Sequence, residues 1–386
     1  MRVRVDSGAL REALSLAGRF VDMKSTLPVL GHVLVKTNGT GLEVAGTNLT
    51  VWVRCHVAGA IEEEGQLTLP ARRLNEFLAA LGKTHMTITA SGSKATLVAA
   101  NGKSTVSGFD AEEFPVMQEA SGPTLQIRGR ELHTALSRVL AAAAPDDSRP
   151  VLAGCLVQTV DSKLELVAAD GFRLARTELP ILAGDLDQSF AVIVPARALA
   201  EARSMLPTKG DEEVTLRVGL DKGVATLFEL ETERAKFSSK LVEGQFPDFN
   251  RIVPREFKAT ATVASEDLER ATKSIRAVLG VKEPITRIAL KQGVDGAAGE
   301  MVVSGKDAET GESEFTLPAQ VELADPGQGP VLVAFNGRYL VDALSSIDTQ
   351  QVTLGASGPS SPGLFRAPGG MRPESYVVVM PMHVAR

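Results

Sequence analysis

The sequence predicts an α+β fold made of three tandem homologous domains. Each packs two helices on an antiparallel sheet, and together they form half of a six-domain ring. Three observations carry this expectation. The segment LPVLGHVLVKT at 27–37 returns at 149–159, with Pro28, Leu30, Val35 and Thr37 each matched by Pro150, Leu152, Val157 and Thr159 exactly 122 positions later. LEVAGTN at 42–48 keeps the same offset, with Leu42 over Leu164 and Asn48 over Asp170. An amphipathic helix and a strand–turn–helix unit both occur three times, and a unit repeated at fixed spacing marks a repeated domain.

The elements follow in order. VDSGALREALSLAGRFV (5–21) places Leu10, Ala13, Leu14, Ala17 and Val21 on one helical face, with Ser7 as the expected N-cap. The same pattern returns at 127–144, where Leu132 lies 122 beyond Leu10, and at 263–280, where Leu268 lies 258 beyond it. Each helix precedes a strand containing or following a proline (27–37, 149–159, 283–292) and then a second strand (42–48, 164–170, 301–307). LTLPARRLNEFLAAL (67–81), VIVPARALAEARSML (192–206) and VLVAFNGRYLVDALSSI (331–347) each read strand, turn, helix, with Arg72, Arg197 and Arg338 at matching places. Alternating segments at 86–90, 95–100, 104–108, 214–220, 223–229, 235–241, 352–354 and 376–380 supply the remaining antiparallel strands. EEFPVM (112–117) and GQFPDF (244–249) close the first two copies, giving expected domains at 1–120, 125–252 and 259–386. The glycine- and proline-rich stretch 355–370 reads as a mobile loop within the third.

Composition narrows the function classes. Hydrophobic residues make up 44% and charged residues 23%, which is usual for a soluble globular protein. The charged N-terminus lacks the apolar core of a signal peptide, and no run of about 18 apolar residues could span a bilayer. A cytoplasmic location is expected. Cys55 and Cys155 lie far apart in apolar runs, which predicts reduced core residues rather than a disulfide or a zinc site. No cofactor, catalytic residue or metal ligand is expected. There is no phosphate-binding glycine loop, H-E-x-x-H or nucleophile elbow, and the histidines at 32, 56, 85, 133 and 383 have no ligand spacing.

Three similar domains in a row can satisfy their sheet edges by pairing with one another, leaving one open edge at each end of the chain. A second copy added head to tail closes the circle, because heterologous contacts form rings when their rotation closes. All twelve helices then fall on the same side of the ring, and their charges say which. Arg72 and Arg73, Arg138, Arg197 and Arg203, and Arg270, Lys273 and Arg276 give these helices a basic bias inside a protein of net charge −6. A hole so lined suits a polyanion held by sequence-independent phosphate contacts, although each such residue also fits a solvated helix face.

LPVL near the start, VAADGFRLA at 167–175, SKLVEGQFPDF at 239–249 and YVVVMPM at 376–382 complete a pattern that resembles the bacterial sliding clamps, the beta subunit of DNA polymerase III. The resemblance covers nearly the whole chain. It implies the DNA clamp fold and a non-catalytic head-to-tail homodimer that encircles duplex DNA, is opened by a clamp loader and tethers the polymerase for processive synthesis. It also implies a pocket for short peptides carried by the polymerase alpha subunit, other polymerases, the loader and repair proteins. The matching positions are Leu152, Ala169, Gly171, Phe172, Arg173, Leu174, Pro247, Arg251, Ile252, Val378, Met380, Pro381 and Met382. The apolar members and methionines make an adaptable cleft, with Arg173 and Arg251 expected on its edge.

The sequence departs from the family in places. Phe172 stands where some members have His, His383 where some have Arg, and Ala385 and Arg386 extend past the usual end. On the DNA side Lys24 and Arg149 fit a basic role, while Pro150 and Val151 replace aromatic side chains of some members. A seam between chains needs an apolar centre, expected at Val278 and Leu279 against Val106 of the other copy. The alternatives are a clamp paralogue acting as a drug-insensitive spare or decoy, and an enzyme built around Asp170 and Arg173. Retention on circular DNA separates clamp from enzyme, and genetic replacement of the resident clamp separates main from spare.

Overall fold

The computed structural model describes residues 1–100, 102–280, 284–293, 299–325, 327–369 and 375–383. The extension at Ala385 and Arg386, the end of the glycine-rich stretch at Gly370 and the first residue of the 283–292 strand lie outside them. Six α-helices are described: α1 (Ser7–Ala17), α2 (Ala71–Leu81), α3 (Gly129–Val139), α4 (Ala196–Ala202), α5 (Ser265–Leu279) and α6 (Gly337–Ile347). No described helix is long and apolar enough to cross a membrane.

The chain forms two compact units. One comprises Met1–His133, Ile181–Gln188 and Arg197–Leu241; the other comprises Thr134–Pro180, Ser189–Ala196 and Val242–Arg386. The central repeat is thus shared, with one of its strand layers in each unit.

The first unit holds a 13-stranded antiparallel sheet. Its long strand Val51–Glu63 gives one edge to two partners. Residues 59–63 pair with Arg2–Asp6 of the same repeat, while Val51 to Cys55 pair with Ala235–Lys240 of the next. The other edge pairs with Gly41–Thr47. The second unit holds a 12-stranded sheet in which Arg173–Pro180 of the central repeat pairs with Ser375–Val379 of the third. Backbone donors and acceptors at a strand edge need partners, and here a neighbouring repeat supplies them.

Side-chain chemistry reinforces both junctions. In the first unit Arg54 stands directly opposite Lys236, a like-charge pair that would weaken the ladder by itself. Glu119 bridges both cations, and Lys236 Nζ lies 2.8 Å from its carboxylate. Those hydrogen bonds, that of Lys236 foremost, hold the Glu119 carboxyl below its usual range. Its contribution is therefore present at neutral pH and is lost as acid protonates the folded form. Glu229, 1% exposed, sits behind them and receives Lys236 at 3.2 Å and Arg217 at 3.3 Å. In the second unit Arg176 pairs with Glu165 and Glu178 and lies 5.5 Å over the Tyr376 ring.

Several sequence expectations are corrected. The N-cap of α1 is Asp6, whose carboxylate accepts from Ala9 N at 2.9 Å, whereas buried Ser7 donates to Gly82 O at 2.7 Å. Pro28 opens a 3-10 turn, Pro28–Gly31, and the strand starts only at His32; Pro150 and Pro284 likewise precede their strands, because proline has no N–H to give a ladder. The 355–370 stretch is not a single loop. Gly363–Arg366 is a strand between Gln351–Ala356 and Ser375–Val379. Its glycine serves close packing, since a Cβ at Gly363 would come within 2.3 Å of the Phe335 ring. Leu279 is 1% exposed and belongs to the core of the third repeat. It therefore cannot form a seam surface; Val278, 46% exposed, is the apolar side chain that α5 presents. Cys55 and Cys155 are free and buried, and burial pushes both thiols up to about 12.

Glu229→Ala should remove the buried carboxylate that Lys236 and Arg217 share, leaving Lys236 to Glu119 alone and taking from Arg217 its acidic partner. A loss of about 3–5 kcal/mol in unfolding free energy is expected by analogy with other broken buried pairs, read from the urea midpoint of the variant.

Candidate functional site

The site builds outward from a three-residue turn. Strand Lys163–Ala169 ends in an apolar run, Asp170–Phe172 reverses the chain, and strand Arg173–Pro180 returns beside it. Gly171 takes φ 92°, which a side chain would strain, and a Cβ there would meet the Arg149 guanidinium at 2.7 Å. The Asp170 carboxylate clamps the turn by accepting from Phe172 N at 2.8 Å, Arg173 N at 3.0 Å and Arg173 Nε at 3.0 Å. Arg149 donates to the Asp170 carbonyl at 2.7 Å. DGFRLA is thus half turn and half strand, Asp170 to Phe172 making the turn and Arg173 opening the returning strand.

Arg173 is not a free edge residue. It is 9% exposed, its guanidinium pairs with Asp170 and with Asp342 of α6, and it lies 4.5 Å over the Tyr339 ring. Its charge is spent inside the protein, so it positions the site instead of reaching a ligand's polar groups. Phe172 is 58% exposed and stacks on Tyr339 with ring centroids 6.4 Å apart.

Around this turn lies an apolar cluster that includes Leu152, Ala169, Leu174, Phe249 and Val378, with Phe246 packed against it. Phe249 anchors the segment bearing Pro247, Arg251 and Ile252. Pro247 and Arg251 are exposed, Arg251 pairs with Asp248 at 3.0 Å, and Ile252 is 42% exposed. The C-terminal segment is hydrogen-bonded into the same place, since Met380 N donates to Phe172 O and Met382 N to Ala334 O, both at 2.8 Å. Met380, Pro381 and Met382 are each half-buried. Of the thirteen residues expected to line the pocket, Leu152, Ala169, Leu174 and Val378 belong to one buried cluster, Gly171 and Phe172 form the turn that follows Ala169, and Arg173 lies inward. Tyr339, Asp342 and Phe249 were missed. Tyr339 and Asp342 are three residues apart on one face of α6, a spacing that could have marked them.

The expected polyanion face is less uniform than its sequence suggests. Arg72 and Arg73 are exposed and line a cleft of about 540 Å³ with residues of the segment that bears exposed Lys24. Burial and then the Arg73 charge hold His32 in that cleft below the usual imidazole range. Arg72, however, pairs with Glu76 at 2.8 Å. On α5 Arg270 pairs with Glu266 and Asp267, and Lys273 with Glu269 at 2.8 Å. Arg197 is exposed, whereas Arg138, Arg203 and Arg276 are half-buried, and Arg138 reaches Ser375 Oγ at 3.4 Å. Among the described residues no group of three His, Cys, Asp or Glu could hold a metal ion.

Comparison with known proteins places this architecture. Family models of the DNA polymerase III beta subunit match residues 1–118 as its N-terminal domain, 126–248 as its central domain and 250–383 as its C-terminal domain. The chain belongs to the DNA polymerase III beta subunit family. It is a DNA sliding clamp, the class of protein that makes a DNA polymerase processive. The beta sliding clamp of Caulobacter vibrioides is 28% identical with all of both chains covered, and that of Synechocystis sp. is 27% identical over 97% of each. A sliding clamp structure from Pseudomonas aeruginosa, bound to griselimycin, superposes with TM-score 0.89 at 29% identity over the full length of both. The Bacillus subtilis clamp, at 20% identity and TM-score 0.89 over the full length of both, shares the fold.

Asp170→Ala should release the turn. Amide exchange at Phe172 and Arg173, which lose their acceptor, is expected to speed up by about tenfold or more, as followed by NMR on the native protein.

Proposed function

We propose that two copies of this chain join head to tail into a ring of six repeats, at 1–120, 125–252 and 259–386 of each, and that the ring encircles duplex DNA. The observation that carries the reading is the pair of junctions, each made by strand pairing between successive repeats. One strand edge at either end of the series has no neighbour among the described pairings: Gly102–Ser107 of the first repeat and the first part of Gly311–Leu323 of the third. A second copy supplies what each edge lacks. Val278 of α5, without Leu279, gives the seam its apolar contact, with Val106 of the other copy across from it.

In this reading Lys24, Arg72, Arg73, Arg149 and Arg197 face the DNA, and the half-buried Arg138, Arg203 and Arg276 add to the field more than to contacts. Arg270 and Lys273 are offset by acids on their own helix. The protein is a non-catalytic accessory of the polymerase in the cytoplasm, opened by a clamp loader. The cluster around Leu152, Leu174 and Val378, rimmed by Phe172, Ile252, Met380 and Met382, receives short peptides from the polymerase, the loader and repair proteins. The half-buried methionines support this, because an unbranched thioether adapts to varied apolar anchors.

Encirclement predicts retention on closed circular DNA and loss from linear DNA with free ends; gel filtration of loaded complexes reads both, and equal retention would exclude a ring. Deleting residues 380–386 should weaken a polymerase-derived peptide by orders of magnitude, since one buried Leu or Phe anchor is worth roughly 1.5–3 kcal/mol, while leaving the dimer intact. Calorimetry and sedimentation on the same sample separate a misplaced pocket from a misplaced seam.

A further inference from the structure

The junction between the first and second repeats rebuilds, bond for bond, the framework that surrounds Asp170 at the junction between the second and third. Asn48 lies 122 positions before Asp170 and closes the same turn. Its side-chain oxygen accepts from Thr50 N at 3.0 Å and Val51 N at 2.9 Å, as the Asp170 carboxylate accepts from Phe172 N and Arg173 N. Lys240 N donates to Thr50 O at 2.9 Å, as Met380 N donates to Phe172 O. Leu30 N donates to Leu27 O at 3.1 Å, as Leu152 N donates to Arg149 O at 2.9 Å. The register agrees, since Trp52 faces Ser238 where Leu174 faces Val378. An apolar cluster of Val29, Leu30, Ala45 and Phe114 belongs to this framework, and its Leu30 and Ala45 match Leu152 and Val167 of the other cluster.

The side chains carried by the two frameworks differ, and the differences point to a ligand of another kind. Gly171 gives way to Leu49, which keeps a positive φ of 72°. A leucine is strained in that region of backbone, and here the strain holds an apolar side chain 37% exposed. Arg149 gives way to Leu27, 50% exposed. Keeping two leucines in water gains nothing within the chain, whereas a partner would bury them. Met380 gives way to Lys240, which is exposed, lies 5.6 Å over the Trp52 ring and meets no carboxylate among the described residues. At the second junction the cations are already spent, Arg173 on Asp170 and Asp342 and Arg251 on Asp248.

We propose that the first junction is a second docking site and that its ligand is an extended acidic peptide, with apolar anchors against Leu27 and Leu49 and a carboxylate on Lys240. This rests on the peptide reading of the second junction, whose framework it reuses. The two sites then divide partners by charge. An unpaired ammonium beside apolar anchors favours an acidic segment and disfavours a basic one, while the aspartates of the second junction leave no unpaired cation there to reward the same acid. Part of the attraction at Lys240 is open to screening by salt, since the side chain is exposed.

The chain's one tryptophan makes the test direct, because Trp52 belongs to the first junction and the second has none. The peptide acetyl-Asp-Leu-Glu-Leu-Asp-amide, titrated into the full chain, should change Trp52 fluorescence saturably, and its Asn/Gln counterpart should bind about tenfold or more weakly. Lys240→Glu and Leu49→Gly should each weaken the acidic peptide by about tenfold or more. Leu49→Gly relieves the backbone, so its effect cannot come from unfolding the turn. Neither variant should alter the affinity of a polymerase-derived peptide measured by calorimetry, and deleting residues 380–386 should leave the Trp52 response intact. No saturable response, a response that survives both substitutions, or one lost with the deletion overturns the second docking site and leaves the reading of the second junction standing. A polymerase-derived peptide that binds the native and the truncated chain alike overturns that reading instead, whatever Trp52 reports.

Discussion

An open strand edge is a liability in a folded protein, because its unpaired N–H and C=O groups invite foreign pairing, and this chain covers such edges within itself by lending the edge of one repeat to the next. Everything else is arranged around that constraint. The long strand Val51–Glu63 gives one edge to its own repeat at one end and to the next repeat at the other. The central repeat contributes a layer to each compact unit for the same reason. Main-chain hydrogen bonds do not depend on side-chain identity, so Val53 and Phe237 can fill one junction where Ala175 and Val377 fill the other. That freedom is consistent with a fold kept at 27–29% identity to its relatives.

Much of this was legible in the letters. The 122-residue echo and the three amphipathic helices gave the repeat, because a helix face or a strand must bury its apolar side wherever it recurs. The helices 7–17, 71–81, 265–279 and 337–347 fall within or on the segments read as helical. What stayed hidden has a common physical origin. Val51–Glu63 switches neighbours midway and loses its alternation at the charged end, so no single periodicity describes it. Gly363–Arg366 hides in a run of glycines and prolines whose small size serves contact with Phe335 rather than chain freedom.

The site shows the same division. Its residues were named from the family resemblance, and the structure gathers Leu152, Ala169, Leu174 and Val378 of them into one buried cluster. Arg173 was misassigned because an arginine next to a pocket looks like a ligand contact, and only the fold reveals two aspartates and a tyrosine converging on it. The expected polyanion face shows the local pairing that composition hides. The acids Glu266, Asp267 and Glu269 suit the helix N-terminus by sequence, but the helix also brings them within reach of Arg270 and Lys273 one turn on, where they pair with those cations.

The fastening of Arg173 has a consequence for timing. Because its guanidinium ties the central repeat's strand to α6 of the third, the ground beside the cluster is set before any visitor arrives. For the peptide guests proposed above, this means that a guest orders only itself and waits for no slow rearrangement of the host. In that proposed role, successive guests of differing sequence exchange at rates fixed by their own anchors.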